Sequence, residues 1–287
     1  MLQFIRHYLL AVQFFTRLPI TGRLAQWVGY SPAMLRASAA HFPGIGWLVG
    51  MVAVLVFAAA SLCLPDTDST PLVAAVLSTM ATILFTGAFH EDGLADVADG
   101  IGGAFDRDRA LEIMKDSRLG TYGVLALVLA VMAKVSLLTL LGGISLQLAC
   151  IALFLAHVFS RMLPLLVIST MVHVGDTATS KSKPLAEQIS LTGLLVASIW
   201  CLMAFAMILY VFDDMDLIAP VMVGVCAAVL ALGWMWRMFA RRLQGFTGDC
   251  LGATQQVCEV AFYLGLTLGV GLWLDHPGLA GAARPVI

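Results

Sequence analysis

Apolar residues occur in long unbroken blocks separated by short polar stretches, and this pattern sets the fold. The blocks cover residues 47–64, 72–89, 122–141, 146–172, 191–212, 217–236 and 257–274. Each is near the roughly 20 residues that a helix needs to cross a hydrocarbon core. The runs do not alternate, so they predict helices rather than barrel strands, and a helix satisfies its own backbone polar groups in lipid. Ahead of them, Gln3, Arg6, His7, Gln13, Thr16 and Arg17 fall on one stripe, whereas Leu2, Ile5, Leu9, Val12 and Phe15 point elsewhere. That spacing predicts an amphipathic interfacial helix over residues 1–19, ending at Pro19. The expected fold is all-α: a polytopic transmembrane helix bundle of about seven spans, forming one integral membrane domain over residues 1–287.

Composition agrees with the pattern. The chain is 60% hydrophobic and only 12% charged, with a mean hydropathy of +0.93, which is far too apolar for a soluble domain of this length. The net charge of −2 matters less than its distribution. With the N-terminus in the cytoplasm, one side carries Arg6, Arg17, Arg23, Arg36, Arg107, Arg109, Lys115, Arg118, Lys181, Lys183, Arg237, Arg241 and Arg242. The opposite side receives DTDST at 66–70, DDMD at 213–216 and a tail whose single base is Arg284. The positive-inside rule therefore orients the bundle, with polar loops 90–121 and 237–256 on the cytoplasmic side. Arg6 and His7 interrupt the first apolar stretch and no small-residue cleavage site follows, which argues against a removable signal peptide. No basic tract suited to nucleic acid is present. The six cysteines form no CxxC pair, so neither a disulfide nor a zinc site is expected.

Chemistry concentrates in HEDGLADVADG at 90–100. Asp92, Asp96 and Asp99 stand at i, i+4 and i+7, on one face if the second span continues as a helix past the membrane edge. Glu91 and His90 lie beside them. Such a row of hard oxygens suits Mg²⁺, which takes a few carboxylates plus water and phosphate oxygens. A solvated helix end is the plain alternative, disfavoured by the interleaved Leu94, Ala95, Val97 and Ala98. Downstream, Asp106 is placed to cap a short amphipathic helix with Leu111 and Met114 as its apolar contacts. Lys115 and Arg118 then suit phosphate oxygens or a positive-inside anchor equally well.

In the fourth block His157 and Arg161 share a face, and a buried Arg there needs a polar partner or water. Lys134, in the third block, reads better as a structural ion pair or a snorkelling amine. The loop at 245–259 places Asp249, Gly252, Gln256 and Glu259 near one helical face, with Thr247 or Asp249 as a helix cap. Arg17 and His41 lie on the same side, and His41 reads as structural.

Taken together and in order, FFTRLP (14–19), FPGIG (42–46), HEDGLADVADG (90–100), IMKDSRLGTYG (113–123), HVFSRMLP (157–164) and GFTGDCLGA (245–253) resemble the cobalamin synthase family, the adenosylcobinamide-GDP ribazoletransferases. Val158 and Phe159 depart from the aromatic pair that the family often carries between this His and Ser. The resemblance implies transfer of cobinamide phosphate from adenosylcobinamide-GDP to α-ribazole or its 5′-phosphate, with release of GMP. It also implies Mg²⁺ as cofactor and a bacterial inner-membrane location with the active site in the cytoplasm. A homo-oligomer, or a complex with other cobalamin-assembly enzymes, is compatible with it.

Under that resemblance Glu91, Asp92, Asp96 and Asp99 are the expected metal ligands, and His90 or a carboxylate takes the hydroxyl proton. Lys115, Arg118, His157, Arg161, Asp249, Gln256 and Glu259 are expected to bind substrate. Two rivals stand beside it. A membrane CDP-alcohol phosphotransferase is suggested by DVADG at 96–100, but the chain continues as IGGAFDRD without that family's further spaced aspartates. An ion-coupled transporter would use His157, Arg161, Lys134 and Glu259, but the polar motifs crowd one face.

Overall fold

The computed structural model describes residues 2–175 and 188–275, with side chains described as far as residue 272. Lys181, Lys183 and Arg284 of the charge argument lie outside the described residues. Three short elements open the chain: α1 (Leu2–Phe15), α2 (Gly22–Val28) and α3 (Pro32–Ser38). The apolar blocks become α4 (Phe42–Cys63), α5 (Thr70–Thr86), α8 (Thr121–Ile144), α9 (Leu146–Thr170), α10 (Leu191–Phe212), α11 (Ile218–Arg242) and α12 (Gly248–Asp275). Between α5 and α8 lie α6 (Phe89–Gly103) and α7 (Arg107–Met114). Among the described residues there is no strand, only an isolated bridge from His173 to Phe246 that ties the end of α9 to the loop before α12.

Among the described residues, five helical stretches, Pro32–Cys63, Thr121–Ile144, Leu146–Thr170, Leu191–Phe212 and Met215–Arg242, are long and apolar enough to cross a membrane, or six if α5 and α6 together form one span. Two further helices, α5 and α12, arise from the remaining apolar blocks. The 17 residues of α5 give a rod of about 25 Å, short of a full hydrocarbon core. In α12 the apolar run is preceded by Thr254, Gln255 and Gln256 and carries Glu259 near its start.

α9 is the axis of the bundle. Almost every residue from Leu148 to Ile168 is buried, whereas α8 and α10 bury only a few positions each and expose the rest. α9 packs on α4, α8, α10 and α12. Interhelical contact in lipid depends on close fit because burial alone gives little drive there, and small residues permit that fit. At Gly50 the α4 backbone comes so near α9 that a Cβ would stand 3.1 Å from Phe154 Cα.

The second span does not run on into the acidic stretch. Gly87 (φ 71°) and Ala88 (φ 57°) are both left-handed, and α6 leaves α5 at 90°. Helix α6 therefore crosses the end of the bundle instead of extending a span. The end of α1 meets this break: Arg17 N–H donates to Phe85 O at 2.8 Å, and the Arg17 side chain fills the space that a Cβ on Gly87 would need. At the opposite end, Ser145, Gln147, Asp214, Asp216 and Pro220 line one shallow hollow, so the acidic DDMD turn lies far from the basic loops, as the charge asymmetry requires.

Candidate functional site

Helix α6 is seated on α12 by two glycines. A Cβ at Gly93 would stand 2.7 Å from Asp249 O, and one at Gly252 would stand 3.2 Å from His90 Cα. The two backbones thus cross in contact, which carries Asp249, at the start of α12, up to the acidic face of α6. Thr247 helps to begin α12, its Oγ1 accepting from Cys250 N at 3.4 Å and lying 3.3 Å from Asp249 Oδ2.

The result is a cluster of carboxylates drawn from two helices. Burial, then the nearby carboxylates of Asp249, Asp92 and Asp99, push the Asp96 carboxyl up to about 7. Burial likewise raises Asp249, with the Thr247 hydrogen bond opposing the shift and Asp92 adding to it. Asp92 itself is exposed. A half-buried group of like charges is the arrangement that a cation or a proton must neutralise.

The expected trio on one face is corrected in one respect. Among the described residues no three His, Cys, Asp or Glu side chains converge on a metal position. Spacing is the reason: residues i and i+7 of a helix are about 10 Å apart along its axis. Asp99 points instead to α8, accepting from Gly120 N at 2.7 Å and Gly123 N at 2.8 Å. Glu91 turns the other way and accepts from Gln256 Nε2 at 3.1 Å, leaving its buried Oε2 without a protein partner. Asp92 and Asp96 remain as the α6 members of the cluster, joined by Asp249, a residue the sequence marks for substrate and not for metal.

His90 is buried with 1% exposure. Its ring stacks near Phe42 at 5.6 Å and Phe15 at 6.5 Å between centroids, and its Nε2 lacks a partner. Lys115 and Arg118 are both exposed on the connector between α7 and α8, where Arg118 pairs with Asp116 at 2.5 Å. Helix α7 starts where expected, with Asp106 Oδ1 accepting from Arg109 N at 2.9 Å.

The remaining predicted residues assemble inside the bundle, beneath α6. Glu259 Oε1 lies 2.5 Å from Lys134 Nζ and accepts from Tyr263 OH at 3.3 Å. Glu259 Oε2 accepts from Gln255 Nε2 at 2.6 Å and lies 3.3 Å from His157 Nδ1. Gln255 also donates to Ser160 Oγ, and Gln256 Nε2 bridges Gln255 Oε1 and Glu91. Arg161 donates to His157 O at 2.9 Å, and its guanidinium lies 5.8 Å from the Phe42 ring. His157, Arg161 and Glu259 therefore form one network, which Gln256 joins through Gln255, and together they tie α8, α9 and α12 to α6. The sequence reading missed Gln255, Ser160 and Tyr263. Gln255 and Tyr263 flank Glu259 at i−4 and i+4, a spacing that would have found them. His41 is structural as expected, with Trp200 Nε1 donating to its Nδ1 at 3.3 Å.

Comparison with known proteins adds a chemical identity to this geometry. The family described as cobalamin-5-phosphate synthase matches residues 7–267. The chain is 60% identical over 282 residues to the adenosylcobinamide-GDP ribazoletransferase of Polaromonas naphthalenivorans, covering 94% of this chain and 100% of that protein. It is 43% identical over 271 residues to the protein of that name from Leptothrix cholodnii, covering 94% and 97%. For the Vibrio cholerae protein of that name the figures are 41% over 259 residues, covering 90% and 91%. No solved structure matches the chain.

Proposed function

The chain belongs to the cobalamin-5-phosphate synthase family, and from that membership we propose that it joins adenosylcobinamide-GDP to α-ribazole or α-ribazole 5′-phosphate, giving adenosylcobalamin or its 5′-phosphate and GMP. The observation that carries this reading is the 60% identity over 94% of the chain, together with the family match over residues 7–267, which spans the six motifs from FFTRLP to GFTGDCLGA. In the step itself, a ribazole hydroxyl oxygen bonds to the cobinamide-bearing phosphorus. The anhydride P–O bond breaks, its electron pair leaves with GMP, and the hydroxyl proton passes to a base.

Such a step needs positioning and charge neutralisation more than covalent chemistry. One or two of Asp92, Asp96 and Asp249 would hold Mg²⁺. Their hard oxygens suit it, their mutual repulsion asks for a cation, and Mg²⁺ needs only one or two carboxylates when water and phosphate complete its shell. Bound there, the metal would neutralise charge on the pyrophosphate. Lys115 and Arg118 sit on an exposed connector, and the Arg118 contact with Asp116 is a surface pair of small net worth. Exchanging it for the phosphate of departing GMP costs little, and the planar guanidinium suits that fork. A carboxylate of the cluster receives the hydroxyl proton more readily than His90, which aromatic rings enclose.

His157, Arg161, Gln256 and Glu259 support the site by fixing α6 on α9 and α12. In this reading the protein sits in a bacterial inner membrane with its N-terminus and site on the cytoplasmic side, an orientation that the positive-inside asymmetry supports. Detergent-purified protein given adenosylcobinamide-GDP and α-ribazole is expected to release GMP and form the joined corrinoid. Turnover of CDP-activated alcohols instead, or uptake into liposomes without GMP release, would reject the reading.

A further inference from the structure

We infer that Asp99 is a positioning residue that fastens the basic connector 104–120 to α6, the helix that bears the acidic cluster, and that it does not hold metal. Three observations on separate elements carry this. First, Asp99 is 8% exposed, and its two oxygens accept from the backbone N–H groups of Gly120 and Gly123. Helix α8 begins at Thr121 after Gly120, which has no side chain to cap it. The first N–H groups of a helix need an acceptor, and a carboxylate there also meets the positive end of the helix dipole. Asp99 supplies from α6 the cap that the local sequence of α8 lacks.

Second, the glycines are shaped for this contact. A Cβ on either Gly120 or Gly123 would collide with the Asp99 carboxylate. The spacing Gly120, Thr121, Tyr122, Gly123 thus opens a seat for a side chain 21 and 24 residues earlier in the chain.

Third, the other end of the connector is fastened as well. Arg242, at the end of α11, donates through Nη2 to Ile101 O at 3.0 Å and also to Ala104 O. Arg107 Nε donates to Leu243 O at 2.8 Å. The connector carrying Lys115 and Arg118 is therefore a strap held at both ends, by Asp99 at its exit and by Arg242 and Arg107 at its entry. One helix, α6, bears both the cluster and the exit anchor, which keeps the strap in register with Asp92 and Asp96.

The test has two arms, of which only the second rests on the proposed activity. In membrane vesicles open to trypsin, Asp99→Ala is expected to speed cleavage at Arg109, Lys115 and Arg118 roughly tenfold or more, the equivalent of one charge-assisted hydrogen bond. Asp99→Asn, which can still accept one of the two bonds, should fall between, and Asp96→Ala should be cut as the unaltered protein is. In the transfer assay, Asp99→Ala should raise KM for adenosylcobinamide-GDP by a similar factor while the Mg²⁺ concentration for half-activation stays unchanged. Gly123→Ala, which closes the seat without touching a carboxylate, should reproduce both effects. Cleavage of Asp99→Ala at the unaltered rate would overturn the inference, as would an Mg²⁺ requirement displaced as far as that of Asp96→Asn. If the proposed activity itself fails, no variant turns over but the cleavage order still stands or falls alone.

Discussion

Lys134 Nζ lies 2.5 Å from Glu259 Oε1 with both side chains almost fully buried, Lys134 on α8 and Glu259 on α12. The carboxylate also receives Gln255 and Tyr263 and lies beside His157. Removing one partner of such a pair strands the other in a medium that solvates it poorly, at a cost of about 3–5 kcal/mol. Lys134→Met and Glu259→Leu are each expected to lower the unfolding temperature strongly in detergent. The double substitution should lose clearly less than the sum of the two. Strict additivity would show that the pair is not coupled.

Asp96 on α6 lies within electrostatic reach of Asp249 at the start of α12, so neither should be replaceable from its own helix. Asp96→Asn and Asp249→Asn are each expected to lower GMP release by about 10²–10³-fold, as loss of a group that stabilises transition-state charge does. Membrane insertion and helicity should be retained. Substantial turnover by purified Asp96→Asn would remove it from the site.

The elevated Asp96 carboxyl has a stability consequence with a definite sign. Because folding raises its pKa to about 7, the folded state holds this proton more tightly than the unfolded chain does. The stabilisation from this group is full below about pH 4 and is lost as pH rises through 7. In EDTA, the unfolding temperature of the protein should therefore fall between pH 5 and 8 more steeply than that of Asp96→Asn. Added Mg²⁺ should flatten the difference by favouring the ionised form. Equal slopes for the two proteins would contradict the burial and repulsion assigned to Asp96.

The crossing of α6 on α12 leaves no room for a methyl group. Gly93→Ala would place a Cβ 3.1 Å from Asp249 Cα and nearer still to its carbonyl oxygen, a misfit of about 1–3 kcal/mol. The expected outcome is a modest loss of stability with a larger loss of turnover, because the helices that carry the two halves of the acidic cluster move apart. A loss of stability without loss of turnover would separate the crossing from the site.

Orientation can be checked on the strap itself. Trypsin added to inverted inner-membrane vesicles should cut at Arg109, Lys115 and Arg118, and trypsin added to right-side-out vesicles should leave them intact. The reverse pattern would place the acidic cluster on the outer face.

What the chain determines locally was legible in its order of residues. Unbroken apolar runs leave a helix as the sole element able to cross lipid, and the crowding of bases on alternate loops gives each end its charge. The acidic face of α6 was likewise visible in Asp92, Asp96 and Asp99, because helical period is a property of one segment. The partners of those aspartates were not visible, since periodicity says nothing about which helix packs opposite. The 90° break at Gly87 and Ala88 and the close crossing at Gly93 and Gly252 are tertiary facts. They swing α6 across the end of the bundle, bring Asp249 to Asp96, and turn Asp99 away to the first N–H groups of α8. Lys134 and Glu259 found each other for the same reason. A buried charge must be matched, but only the packed helices decide by which side chain.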